Sequence, residues 1–233
     1  MGVNELFWEG WLTGYRLEAR KMLAGESLGR ACDLGCGDGS FIRSLVPDVK
    51  NLHGVENHEA KAGKARLAGL DVLMADLNAP LPYESASFDV VFSNFVIEHI
   101  MDVDTHVAEM RRILRPGGVA VVGTENLSSW HNILALACGQ QPFTMTIALS
   151  PQRRLGNVFQ GGRFGLLTED ESPHCRIFAY QGLKDMLASH GLVVESLAGA
   201  GYFPVPGAPG NALGRLDPWH AAFILAKARA PRS

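Results

Sequence analysis

Asp33 stands directly ahead of three glycines at alternate positions, Gly35, Gly37 and Gly39, in the stretch DLGCGDGS (33–40). Glycines at this density cost conformational entropy, so they mark a tight turn or a ligand held close against the backbone. Two phosphate-binding patterns fail on spacing. A dinucleotide fingerprint needs G-x-G-x-x-G, and here the third glycine comes one residue early, with Ser40 where it should stand. A P-loop needs Gly-Lys-Ser/Thr, and none follows. A carboxylate at position 33 would repel a pyrophosphate and suits a ligand carrying cationic groups.

These residues need elements to hold them, and the chain supplies a regular alternation. Apolar runs at 30–34, 51–56, 70–75, 88–94, 119–124, 192–201 and 219–228 read as strands. Helical patterns fall at 4–24, 40–46, 58–69, 102–114, 128–138 and 179–191, with RPGG (115–118) as a helix stop and 202–218 as a Pro/Gly-rich loop. Alternation of this kind predicts βαβ units and a parallel sheet covered on both faces, with the last two strands an antiparallel pair at an edge. Ligands on such sheets bind at the carboxyl ends of the strands, where the glycine stretch lies. Residues 125–173 break the rhythm, and so long an irregular stretch is usually functional or disordered.

In this setting CDLGCGDGSF resembles the first motif of the class I S-adenosylmethionine-dependent methyltransferases, of the small-molecule branch. Glu56 at the end of NLHGVE, the block ADLNAPLPYESASFDVVFSNFVIEHI (75–100) and RRILRPGGVAVV (111–122) resemble the family's next three motifs. The resemblance implies a doubly wound, mostly parallel seven-stranded α/β sheet in the order 3-2-1-4-5-7-6. It also implies one domain over 1–233, with an N-terminal helical lid (1–27) and a substrate cap inserted after strand five (125–173). The implied cofactor is S-adenosylmethionine, leaving as S-adenosylhomocysteine. Asp33 would meet its ammonium end, Gly35 and Gly37 would let the backbone approach it closely, Glu56 would hold its two ribose hydroxyls, and Asp76 and the Leu77 backbone its adenine, with Cys36 and Ser93 as further cofactor-binding residues. A carboxylate such as Glu56 can accept both hydroxyl protons in a bidentate way.

Methyl transfer is an in-line displacement that asks mainly for alignment and a dry site, with a base only for poor nucleophiles. His99, just past strand four beside Glu98, and His174, after the insertion, are the candidate bases; His131 is the third histidine of the region. Tyr15, Trp130 and His131 are the candidate acceptor contacts. Trp8, Trp11 and Tyr15 form an aromatic stripe on the first helix, and Trp130, Phe143, Phe159 and Phe164 give the insertion apolar content that suits a hydrophobic or aromatic acceptor.

Composition narrows the alternatives. Lys and Arg number 21 against 24 Asp and Glu, a net charge of −3, so no basic footprint for nucleic acid is expected. No apolar run is long enough to span a bilayer. MGVNELFWEGW has no signal-peptide pattern, and the four cysteines form no CxxC pair. The expectation is a cytoplasmic monomer or homodimer with reduced thiols, no metal, no membrane and no nucleic-acid partner. A non-catalytic binding module and an NAD(P)-dependent oxidoreductase are the competing readings.

Overall fold

A computed structural model describes residues 3–145, 156–157 and 174–232, with the first helix's side chains from Glu9 onward. Phe159, Phe164 and the ring of Trp8 lie outside the described residues. The elements in chain order are α1 (Val3–Leu23), β1 (Arg30–Leu34), α2 (Ser40–Leu45), β2 (Asn51–Glu56), α3 (Glu59–Leu67), β3 (Asp71–Met74), β4 (Phe88–Asn94), α4 (Val103–Ile113), β5 (Leu114–Glu125), α5 (Trp130–Ala137), α6 (Tyr180–Ser189), β6 (Val193–Ala200), α7 (Gly207–Leu216) and β7 (Phe223–Arg229). The sheet has seven strands in the order β3-β2-β1-β4-β5-β7-β6, as the sequence implied.

β1 runs parallel to β2 on one side and to β4 on the other, and parallel pairing continues from β2 to β3 and from β4 to β5. Chain order therefore reverses at β1. Connections leaving β1 and β4 diverge there and open a crevice at their carboxyl ends. Both faces are covered, which is why Ala31, Cys32, Leu34, Val90, Val91 and Val119 to Val122 are all buried rather than alternating. No helix among the described residues is long and apolar enough to cross a membrane.

The residues divide into two compact units. One comprises 19–123, 184–197 and 226–233; the other comprises 1–18, 124–183 and 198–225. In the first, Arg112 clasps the approach to β4. Its guanidinium bonds both Glu109 oxygens at 2.7 Å and the carbonyls of Leu81 and Tyr83, while Glu109 Oε2 accepts from the Leu81 amide. In the second, Trp11 is buried with its indole N–H on the Val205 carbonyl, and the Tyr15 ring edge meets Phe223 at 5.8 Å.

Two expectations are corrected. RPGG does not stop a helix before a strand; it is a bulge inside β5. Phe88 pairs with Leu114 and Val90 with Val119, so residues 115–118 stand opposite Asp89 alone. Asp89 fastens this bulge by accepting from the Arg115 guanidinium and the Arg30 amide, both at 2.7 Å. The Pro/Gly-rich loop also holds a ten-residue helix, α7, and β7 starts only at Phe223. Pro209 sits in the first turn of α7, where a missing N–H costs no intrahelical bond. Gly210 and Gly214 are there for close approach: a Cβ would lie 2.1 Å from the Val205 carbonyl and 2.8 Å from that of Gly201.

Replacing Arg112 with Met would strip Glu109 of its guanidinium, leaving Oε2 the Leu81 amide alone, and would take the same partner from the Leu81 and Tyr83 carbonyls. The expected loss is about 2 kcal/mol of unfolding free energy, read by urea denaturation at pH 7.

Candidate functional site

The site is built on the carboxyl ends of β1, β2 and β4. After Leu34 the chain turns sharply, held by the Gly35 and Cys36 amides on the Val55 carbonyl at 2.8 and 3.0 Å. Gly35, Gly37 and Gly39 all have positive φ, a backbone state that side chains disfavour. They are not equivalent. A Cβ on Gly35 would sit 2.4 Å from Val96 Cγ2, so what presses on the first glycine is the protein's own loop after β4. Gly37 has nothing within 4 Å of its absent Cβ, so of the three it is the one with open space on its Cβ side.

Glu56 ties this turn to β2. Its Oε2 accepts from the Gly37 amide and its Oε1 from the amides of Asn57 and His58, each at 2.9 Å. Of the roughly four acceptor positions a carboxylate offers, three are taken. Two ribose hydroxyls were expected at Glu56; backbone fills Oε1, and one acceptor position remains on Oε2.

Asp33 is the unusual group. Its side chain is 3% exposed, and Oδ1 has no hydrogen-bond partner. Burial, with the charge of Glu56 adding to it, pushes its carboxyl up to about 7. A buried carboxyl lacking a donor fits a ligand that brings one. Cys36 is also buried, and burial followed by the charges of Asp33 and Glu56 pushes its thiol up to about 12, so it acts as packing rather than as a thiolate.

Asp76 follows β3 and is exposed, with the Asn78 amide and side-chain nitrogen both on Oδ1 at 2.9 and 2.8 Å, which lower its carboxyl. Leu77 lies between them, half-buried. Asn78 was not singled out from sequence, yet its Oδ1 accepts from the Met101 and Asp102 amides and so joins this loop to the start of α4. Ser93, expected near the ligand, is fully buried with its hydroxyl 3.0 Å from His106 Nε2; its side chain belongs to the core. His99 is half-buried in a turn after β4, its amide on the Val96 carbonyl. Phe95, two residues after Ser93, has φ 53, a strained state for a bulky residue that no sequence signal announces.

The other unit holds the remaining candidates. Tyr15, read as an acceptor contact, is 1% exposed and serves as packing. Trp130 is exposed, donates to the Tyr202 hydroxyl at 2.7 Å and stacks on His220 at 4.4 Å. His131 lies among aromatic rings, and burial lowers it to about 4. His174 Nδ1 is 2.6 Å from the Thr144 carbonyl and 3.1 Å from Glu125 Oε2. A carbonyl has no proton to give, so Nδ1 carries a hydrogen. Glu125 ends β5 and is buried; it carried no motif by which sequence could find it.

Residues 32–122 match the methyltransferase domain family. A probable S-adenosylmethionine-dependent methyltransferase of Mycolicibacterium smegmatis is 40% identical over 97 residues, covering 40% of this chain and 37% of that protein. A ubiquinone biosynthesis O-methyltransferase of Methylococcus capsulatus is 31% identical over 126 residues, 52% of each chain. The chain thus spans about a third to a half of these curated relatives. A solved S-adenosylmethionine-dependent methyltransferase of Mesorhizobium loti superposes with TM-score 0.61 at 22% identity, over 94% of this chain and all (100%) of that one.

Asp33 gives the site a pH dependence. A cationic group binds its carboxylate form, so below pH 7 binding must first remove a proton. Affinity for S-adenosylmethionine is expected to rise with pH to about 7, by up to about tenfold per unit, and then level off. Calorimetry in buffers of different ionisation enthalpy should find proton release below pH 7, lost in Asp33→Asn.

Proposed function

We propose that this chain is a class I S-adenosylmethionine-dependent methyltransferase that transfers a methyl group from S-adenosylmethionine to a small-molecule acceptor. The observation that carries the reading is the buried Asp33 carboxyl, without a partner on Oδ1, one turn away from the open Cβ side of Gly37. S-adenosylmethionine supplies a methyl on a sulfonium, reactive enough that a protein base is needed only for weak nucleophiles.

The residues take the following parts. Asp33 receives the ammonium end, directly or through water. Gly35 and Gly37 shape the turn, with open space on the Cβ side of Gly37 and Cys36 between them. Glu56 accepts a ribose hydroxyl at Oε2, and the amides on Oε1 hold it in place. Asp76, whose two bonds from Asn78 both end on Oδ1, accepts from the adenine amine at Oδ2, with the Leu77 backbone beside the ring and Ser93 at the end of β4 nearby. His174, held by Thr144 and Glu125, is the first candidate base, with Glu125 favouring the imidazolium that results; His99 is the second. Residues 1–27 act as lid and 125–173 as cap. The relatives' names support a small acceptor, and the protein is read as a cytoplasmic monomer or homodimer.

Binding and methyl-labelling experiments together decide between this and the competing readings. S-adenosylhomocysteine should bind saturably and NAD should not; the reverse would establish an oxidoreductase. Asp33→Ala and Glu56→Ala should each weaken binding at least tenfold. A non-catalytic module would bind the cofactor yet label no acceptor when methyl-labelled donor is incubated with metabolite fractions. On an acceptor so found, His174→Gln should lower kcat by roughly 10²-fold or more while leaving cofactor affinity unchanged.

A further inference from the structure

His131 occupies the first turn of α5, between the exposed Trp130 and the buried Asn132. Its ring lies nearly parallel to the Trp11 indole, at 23° and 6.5 Å between centroids. Phe143 and Phe203 meet it at steep angles, at 5.8 and 6.1 Å. Nε2 is 3.3 Å from the Ser129 hydroxyl, and Nδ1 is buried with no hydrogen-bond partner. Ser129 is itself fully buried and makes no capping bond with its side chain.

A hydrocarbon would suit this frame better if packing were its only purpose. Phe or Leu would meet the same three rings without stranding a polar nitrogen away from water. A polar atom kept unpaired in an apolar surround is rare in native proteins and calls for a partner that the protein's own side chains do not supply. Its neighbours define that partner. The walls are aromatic faces and edges, which pair with another planar ring in offset or edge-on contact. Burial keeps the imidazole neutral, and no cation among the residues that frame it would meet a carboxylate or phosphate. Ser129 can either donate to Nε2 or accept from it, so Nδ1 is a donor in one tautomer and an acceptor in the other. A hydroxyl is both, and pairs with either.

We propose that the frame of Trp11, Phe143 and Phe203 around His131 receives the acceptor, and that the acceptor is a planar aromatic ring carrying a hydroxyl that bonds His131 Nδ1. This rests on the methyl-transfer reading for calling the ligand an acceptor; the site itself is read from this unit alone. It also separates two neighbours on one helix. His131 recognises the ring, whereas Trp130, tied to Tyr202 and His220 at the surface, does not.

The test uses the full chain with 2-naphthol as probe, followed by its fluorescence anisotropy, and naphthalene as the competitor without a hydroxyl. Wild type should bind 2-naphthol at least tenfold more tightly than naphthalene. In His131→Phe the two should differ by less than threefold, while the melting temperature holds or rises because the stranded nitrogen is gone. His131→Leu serves the same purpose if the Phe variant does not fold. Absence of saturable 2-naphthol binding to wild type, unchanged discrimination in the variants, or tighter binding of benzylammonium than of 2-naphthol would each overturn the proposal. S-adenosylhomocysteine is titrated into the same samples. If it fails to bind wild type, the methyl-transfer reading fails, while the naphthol comparison still judges the site.

Discussion

Glu56 is the fixed point around which the site is arranged. One carboxylate at the end of β2 gathers three amides, from Gly37, Asn57 and His58, and in doing so joins the glycine turn after β1 to the strand beside it. Charge-assisted bonds of this kind are short and strong, and three on one group leave it little freedom to turn. The Val55 carbonyl repeats the link one residue earlier by accepting from Gly35 and Cys36. The turn is therefore rigid before any ligand arrives, and the open Cβ side of Gly37 and the buried Asp33 keep a set relation to it. The charge on Glu56 also helps hold the Asp33 carboxyl protonated near neutrality, second to burial itself. A cationic ligand reverses that preference, which couples binding to proton release.

The sheet was legible because its signals are periodic or local. Apolar runs such as FDVVFSN coincide with β4 residue for residue, and the strand order is the one the family resemblance implied. Where the reading failed, tertiary contacts had overridden local signals. Pro and Gly in 202–218 announce a loop, but Pro209 is harmless in a first helical turn and Gly210 and Gly214 are needed for close packing. RPGG announces a stop, but Asp89, distant in sequence, makes it a bulge in a continuing strand.

The candidate site was legible in part for the same reason. Asp33, Gly37 and Glu56 stand out by type and spacing, but their division of labour does not. Nothing in DLGCGDGS distinguishes a glycine shaped by Val96 from one facing open space. Ser93 and Tyr15 carry the right residue types and are buried in the core. Glu125 and Asn78 matter through partners 49 and 23 or more residues away, His174 for the one and Met101 and Asp102 for the other, and no window of sequence contains such a pair. The histidines divide similarly. His106 and His131 are held neutral by burial, whereas the hydrogen on His174 is placed by a backbone carbonyl.

The central claim is that Glu56, already holding the glycine turn, has acceptor capacity left at Oε2 for a ribose hydroxyl. A thermodynamic cycle isolates that bond: the calorimetric affinities of S-adenosylhomocysteine and its 2′,3′-dideoxy analogue, each for wild type and for Glu56→Gln. Wild type should lose at least tenfold on removal of the hydroxyls, and Glu56→Gln should lose less than threefold. An undiminished penalty in Glu56→Gln would contradict the account, because the hydroxyls would then be held elsewhere.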